Sequence, residues 1–528
     1  MYTNQKHLTL YCIHTMIILL QYFTKGGLFF MLYKSTRGST EVVNSNEAIL
    51  KGLCDDGGLF VPVKFPEVQL PLSKMINFSY KETASYIFQI FFDEFSVEEI
   101  NKIVDDSYDN KFSVNDMVNL TKADDAFFIE LYHGPTSAFK DMALSALPHL
   151  MTESGKKISL DKELVILTAT SGDTGKAALE GFSDVEGTKI VVFYPEKGVS
   201  NMQKLQMTTQ EGKNVKVFGI KGNFDDAQRA VKTIFTDSAL RKEMNEKGRI
   251  FSSANSINIG RLIPQVVYYV YSYLQLVKKH EINLNDKINI VVPCGNFGNI
   301  LASYYSMKLG IPVNKFICAS NKNNVLTDFF KTGFYDAKRE MYTTVSPSMD
   351  ILVSSNLERY IYEISGENET FVKDSMDSLQ KYGHFEITDK FKKSLDKFYA
   401  GFCSDSDTLK AINEMYESHN YLIDTHTAVA YKVYKDYVAE TSDNTKTLIA
   451  STASPYKFSE SVLKALSLNE EDLTPFEMMD KLYKNTNVKI PKNLSNLKNK
   501  KVIHDEVIDK STIITNLKKY LESGEQDD

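Results

Sequence analysis

An α/β fold built on parallel sheet is predicted by two observations. After Lys140 the chain repeats one order of elements: a short apolar run rich in β-branched residues, a turn of small residues, then a helical stretch. Strands that alternate with helices pair in parallel through right-handed crossovers. Size is the second observation. With 528 residues, 43% hydrophobic and 24% charged, the chain can form two or three domains around a sizeable core at ordinary globular values.

Composition also narrows function. The formal net charge is −7 and no basic tract stands out, which argues against a nucleic-acid partner. The five cysteines (Cys12, Cys54, Cys294, Cys318, Cys403) are scattered and form no CxxC pair. That pattern fits reduced thiols in a cytosol-like compartment and argues against a zinc site or a disulfide frame. No metal site is predicted.

Taken in order, residues 1–30 come first. Leu8–Phe23 is apolar but broken by His14 and Gln21, and it is shorter than a bilayer-spanning helix. It lacks arginine and a small-residue cleavage site, so an upstream extension or misassigned start ranks ahead of a targeting peptide or an anchor. Residues 31–119 form an N-terminal domain, with a short helix over Glu47–Leu53 closed at a glycine and a tight turn at Asp55–Gly58. Next comes Leu131–Asp141, where Gly134 and Pro135 make a rigid turn ahead of Lys140. Phe139 would desolvate the amine, as a nucleophilic lysine requires. A solvated surface charge is the ordinary alternative. A helical run, Asp141–Leu150, follows.

Strands are predicted at Glu163–Thr168, Lys189–Tyr194, Asn214–Phe218, Lys287–Val292 and Thr447–Ala450. Two strand-to-helix junctions, Ser171–Gly175 (SGDTG) and Cys294–Asn299 (CGNFGN), put glycines and small polar groups where backbone N–H groups are free. Each suits a phosphate, or is an ordinary capped βα turn. Neither has Walker-A or GxGxxG spacing. Between them a polar loop, Ser253–Arg261, precedes an aromatic helix, Leu262–Leu276, whose tyrosines are read as packing. Residues 366–408 read as a peripheral insertion, and residues 459–528 as a helical segment ending in a disordered tail. His426, beside the helix cap at Asp424, is read as structural.

The string HGPTSAFKD resembles the cofactor-lysine motif of threonine synthases, and further stretches resemble that family in the same order. They are STRGSTEVVNSNEAILKGLCDDGGLFVP in the N-terminal domain, SINxxR at Ser256–Arg261 and TTVSPSMDILVSSNLE at Thr343–Glu358. DTHTAVA at Asp424–Ala430, which resembles the family's DPHTAVA, and STASPYKF at Ser451–Phe458, which resembles its ATAHPAKF, complete the series. The last two depart from the family pattern, with Thr425 for proline, Ser454 for histidine and Tyr456 for alanine. The resemblance spans about Met31 to Phe458.

It implies a fold-type II pyridoxal-phosphate enzyme: two doubly wound α/β lobes over residues 120–458 with an extra N-terminal domain. By similarity Lys140 carries pyridoxal 5′-phosphate as a Schiff base. Gly295, Asn296, Phe297 and Asn299 cradle the cofactor's phosphate, and Thr452 faces its pyridine nitrogen. Ser171, Thr174, Asn258 and Arg261 bind substrate, the last two at its phosphate. The implied reaction converts O-phospho-L-homoserine and water into L-threonine and phosphate, in a cytoplasmic monomer or homodimer with no stable membrane association. Rival readings are a related phospho-lyase releasing 2-oxobutyrate and a non-catalytic phosphate-binding module.

Overall fold

Runs of Val, Ile and Leu too apolar for a solvated face form two largely parallel sheets, the arrangement that buries both faces of a strand. The computed structural model describes residues 31–170, 172–222 and 224–523. The opening segment 1–30 and the tail from 524 lie outside the described residues. An antiparallel N-terminal sheet comes first, with β1 (Leu32–Ser35) between β2 (Val42–Asn44) and β3 (Phe60–Pro62). Its helix, Ser45–Lys51, starts at a capping box between Asn44 and Glu47 and stops at Gly52, whose φ of 69° is left-handed.

The larger body sheet joins β4 (Asn119–Ala123), β5 (Ala126–Glu130), β10 (Ile288–Pro293), β11 (Val313–Ser320), β14 (Phe398–Phe402) and β15 (Thr447–Ser451). Their order is β14-β11-β10-β15-β5-β4, and β4 alone runs antiparallel to its neighbour. The second body sheet is fully parallel. It runs β16-β8-β7-β6-β9, from β6 (Glu163–Ala169), β7 (Thr188–Pro195), β8 (Val215–Lys221), β9 (Arg249–Ser253) and β16 (Val507–Asp509). A small ribbon pairs β12 (Phe334–Asp336) with β13 (His384–Glu386). Helix Ile259–Lys278 is buried along nearly its whole length and carries the aromatic run into the core. Among the described residues no helix is long and apolar enough to cross a membrane.

Three expectations change. The run Asp141–Leu150 is two helices, Asp141–Leu144 and Leu147–Lys157, because Pro148 has no N–H to return to the Leu144 carbonyl. That open carbonyl is where Gly181 approaches; a Cβ there would sit 2.2 Å from Leu144 O. The span 366–408 is not wholly peripheral, since it supplies β14 to the larger sheet. Gly401 hides that strand from a propensity reading, yet it admits Val433 of helix Thr425–Thr441 at 2.8 Å from where a Cβ would lie. The C-terminal stretch, finally, is not only helical, because β16 extends the second sheet alongside β8.

Candidate active site

The loop between β5 and helix Asp141–Leu144 is folded back on itself by its own sequence. Asp141 is buried and accepts from Thr136 N at 2.8 Å, and its carboxylate fills the space where a Cβ on Gly134 would lie, 2.5 Å away. Burial pushes the Asp141 carboxyl up to about 6, against the pull of its Thr136 donors. Ser137 sits at φ 60°, Ala138 bridges Ala453, and Phe139 N donates to Thr452 O at 2.8 Å. The neighbouring strands β5 and β15 thus deliver Lys140 and Thr452 side by side at their carboxyl ends. Lys140 Nζ stands 4.8 Å from the Phe139 ring centroid and 3.8 Å from Asp173 Oδ2. Burial lowers the amine to about 8; Asp173 opposes that shift, while Arg261 and Lys457 add to it.

Asp173 comes from the second sheet. Beyond β6, Thr170 Oγ1 accepts from Gly172 N and Gly175 N at 2.9 and 2.8 Å, which turns the chain into helix Asp173–Phe182. Gly172 is required there: its φ is 136° and a Cβ would lie 2.4 Å from Gln203. The Asp173 carboxylate is buried against Lys457 Nζ at 2.7 Å and receives Gln203 Nε2 at 2.8 Å and Ser348 Oγ at 3.2 Å. Burial favours its neutral form, but the Lys457 and Lys140 ammonium groups hold it far below the usual carboxylate range. Ser348 N donates to His426 Nε2 at 3.2 Å, and His426 Nδ1 lies 2.7 Å from Asp424 Oδ2. Asp424 in turn caps helix Thr425–Thr441 through His426 N and Thr427 N.

The third contribution follows β10. Gly295 runs so close to Ser348 that a Cβ would lie 2.9 Å from its carbonyl oxygen. Phe297 takes φ 62° and stacks its ring on Phe330 at 5.8 Å, which leaves its backbone to the pocket. Helix Gly298–Lys308 starts there, and its first N–H groups have no intrahelical carbonyl. Asn299 Oδ1 accepts from the Tyr268 and Tyr269 hydroxyls, both at 2.6 Å, while its Nδ2 is buried without a partner. Those tyrosines therefore orient a pocket residue as well as pack. Arg261, in the first turn of helix Ile259–Lys278, is 2% exposed; Nη1 donates to Ala254 O at 2.8 Å and Nε is unpartnered. Burial lowers the guanidinium to about 10, and no described carboxylate pairs with it.

Of the residues predicted from sequence, Lys140, Thr174, Arg261 and Thr452 line one pocket with Gly295, Asn296, Phe297 and Asn299. Ser171 lies outside the described residues. Asn258 is not part of the lining. It caps helix Ile259–Lys278, accepting from Gly260 N at 2.8 Å and donating to Ile49 O at 2.9 Å and Ser253 O at 3.1 Å, so its amide is spent on the fold. Asn255 and Ser256 reach the pocket from the same loop. Sequence reasoning missed Asp173, Lys457, Ser348 and His426 as a connected set. Asp173 and Lys457 stood inside motifs already singled out, but a buried lysine and its carboxylate far apart in the chain leave no local signature.

Three family models match the chain: Threonine synthase N terminus at residues 32–108, Pyridoxal-phosphate dependent enzyme at 117–452, and Threonine synthase, C-terminal at 427–503. Threonine synthase-like 1 of Homo sapiens is 40% identical over 438 residues, covering 80% of this chain and 58% of that protein. The chain thus spans well under two thirds of that relative's length. Threonine synthase of Schizosaccharomyces pombe is 36% identical over 469 residues, covering 82% of this chain and 89% of its own length. Among solved structures, PLP-bound threonine synthase from Brucella melitensis superposes with TM-score 0.81 at 32% identity, over 93% of this chain and 98% of the other.

Proposed function

Because the chain belongs to the threonine synthase family of pyridoxal-phosphate enzymes, we propose that it converts O-phospho-L-homoserine and water into L-threonine and phosphate. One observation carries this reading: the pocket lined by the Lys140 amine also holds a buried guanidinium, Arg261, that pairs with no carboxylate among the described residues. An amine for the cofactor and a free cation for a second anion match a phosphorylated amino acid. The residues present fit pyridoxal phosphate on grounds independent of the family. Asn299 Nδ2 is an unpartnered buried donor, and the Gly295 turn leaves no room for a side chain at a helix start whose N–H groups are free.

In this reading Lys140 would carry the cofactor, Gly295, Asn296, Phe297 and Asn299 would hold its phosphate, and the Thr452 hydroxyl would face its ring nitrogen. When bound, the cofactor supplies an electron sink for carbanions beside the substrate's amino group. Lys140 takes and returns protons at Nζ, and its lowered pKa keeps both forms accessible near neutrality. The Asp173 carboxylate, 3.8 Å away, favours the charged lysine each time Nζ gains a proton. Lys457 keeps Asp173 ionised from the far side. Arg261 receives the substrate's phosphate, and Thr174 stands at the helix start to orient its polar end.

A second reading, elimination of phosphate with release of 2-oxobutyrate and ammonia, draws on Ser454 and Tyr456, the departures from the family's last motif. It also draws on the relatives at 40% identity, which are named threonine synthase-like 1. Product analysis decides. Purified protein supplied with pyridoxal phosphate and O-phosphohomoserine should release threonine and phosphate in equal amounts. Equal phosphate and 2-oxobutyrate would establish the lyase instead, and no phosphate release would overturn both. We further propose a cytoplasmic location, supported by four buried free thiols at Cys54, Cys294, Cys318 and Cys403.

A further inference from the structure

We propose that Asn493, in the C-terminal part of the chain, is a positioning residue for Lys140, acting by clamping the left-handed turn at Ser137. The inference rests on the reading of Lys140 as the cofactor lysine. Ser137 stands three residues before Lys140 with φ 60°, a conformation that glycine adopts freely and serine does not. A turn of that kind persists only where its surroundings over-determine it. On the pocket side it is zipped to the strand end that carries Thr452. Ser454 N donates to Ser137 O at 3.1 Å, Ala138 bridges Ala453, and Phe139 N donates to Thr452 O. Behind it, Thr136 O accepts from Lys457 Nζ at 3.0 Å and Gln206 Nε2 at 3.3 Å.

Among the described residues, Asn493 holds the remaining side. Asn493 Nδ2 donates to Pro135 O at 2.7 Å and Ser137 Oγ at 2.9 Å, with Gly134 O at 3.4 Å. Ser137 Oγ returns a bond to Asn493 Oδ1 at 3.1 Å. A single amide therefore ties together the Gly-Pro-Thr-Ser turn on which Lys140 is mounted. Asn493 is itself well anchored, because its neighbour Leu494 is fully buried in a core cluster with Met479, Leu482, Leu497 and Tyr456. Tyr456 adds a second tie, its hydroxyl donating to Val488 O. Where the family's last motif has alanine, this chain thus has a side chain that grips the C-terminal stretch. Lys140 must stay close to Asp173 to serve as an acid and base, so slack in the turn shows directly at Nζ.

The test uses the full chain freed of cofactor, with Asn493→Ala, Asn493→Asp, and Asn493→Ala combined with Ser137→Gly. The readouts are the rate at which added pyridoxal phosphate becomes fixed to Lys140 by borohydride, then kcat and KM with O-phosphohomoserine. Asn493→Ala should slow labelling and lower kcat by about tenfold each, with KM within about twofold, as expected for a displaced reacting group. Asn493→Asp keeps the shape and the acceptor for Ser137 Oγ but sets a carboxylate oxygen against Pro135 O. It should be slow as well, and it carries the test if the alanine variant does not fold. The double variant should recover most of the loss, because glycine holds the left-handed turn unaided. Unchanged labelling in both single variants, or a double variant as slow as Asn493→Ala, would overturn the assignment. Labelling needs no substrate, so the clamp can be judged even if O-phosphohomoserine is not turned over by the unmodified chain.

Discussion

Arg261 shows how one residue's chemistry can be read from what is missing around it. A guanidinium that is 2% exposed, with Ala254 O as its acceptor and no carboxylate partner among the described residues, is desolvated with little return, and in the proposed reading an incoming dianion supplies the missing partner. A charge-assisted fork of this kind contributes about 1.5–3 kcal/mol. Arg261→Ala should therefore lower kcat/KM for O-phosphohomoserine by roughly ten- to a hundredfold with cofactor content retained, and Arg261→Lys should restore only part. A pale, heat-labile alanine variant with normal substrate affinity would show that Arg261 only braces its helix. Arg261 was legible in sequence because it stands at a fixed place in the SINxxR string. Asn258, at an equally fixed place in that string, faces the fold instead, since the same spacing that aims one residue into the pocket makes the other a helix cap. Spacing identified the loop; only the backbone direction tells which side chains point inward.

At the scale of elements, strands were legible wherever β-branched residues ran unbroken, as in β6, β7 and β10, with boundaries shifted by a residue or so. Two others, β14, interrupted by Gly401, and the three-residue β16, were not, because pairing with a neighbour rather than local propensity makes them strands. Helix Thr425–Thr441 is the instructive case. With Thr425 in place of proline, its start depends on Asp424, which accepts from His426 N at 2.9 Å and Thr427 N at 3.1 Å and also holds the His426 ring. A buried cap with several donors contributes about 2 kcal/mol. Asp424→Ala should therefore lower the urea midpoint. It should also lower kcat, because the ring that receives Ser348 N, and through Ser348 the Asp173 carboxylate, loses its hold. An unchanged midpoint would mean that Thr425 carries the cap.

The whole molecule explains why one lysine is singled out. The two largely parallel sheets of this fold-type II architecture direct the carboxyl ends of β5, β10, β15 and β6 toward one pocket, the place where open α/β sheets present ligand sites. The N-terminal part braces the loops that carry that pocket through Ile49 O on Asn258, and the C-terminal part through Asn493 on the lysine turn. Motif order in the sequence revealed the convergence, whereas the braces, made between segments hundreds of residues apart, left no local mark. The arrangement desolvates Lys140 and lowers its pKa to about 8, so across pH 8–9 half or more of its amine is free while ordinary lysines stay charged. Equimolar pyridoxal phosphate added to the cofactor-free chain, followed by borohydride and peptide mapping across a pH series, reads this directly. The label should fall on Lys140, with a rate that rises through about pH 8 and visible absorbance that disappears on reduction. A label spread over surface lysines, or one on Lys140 that rises only near the ordinary lysine pKa, would contradict the assignment of this pocket.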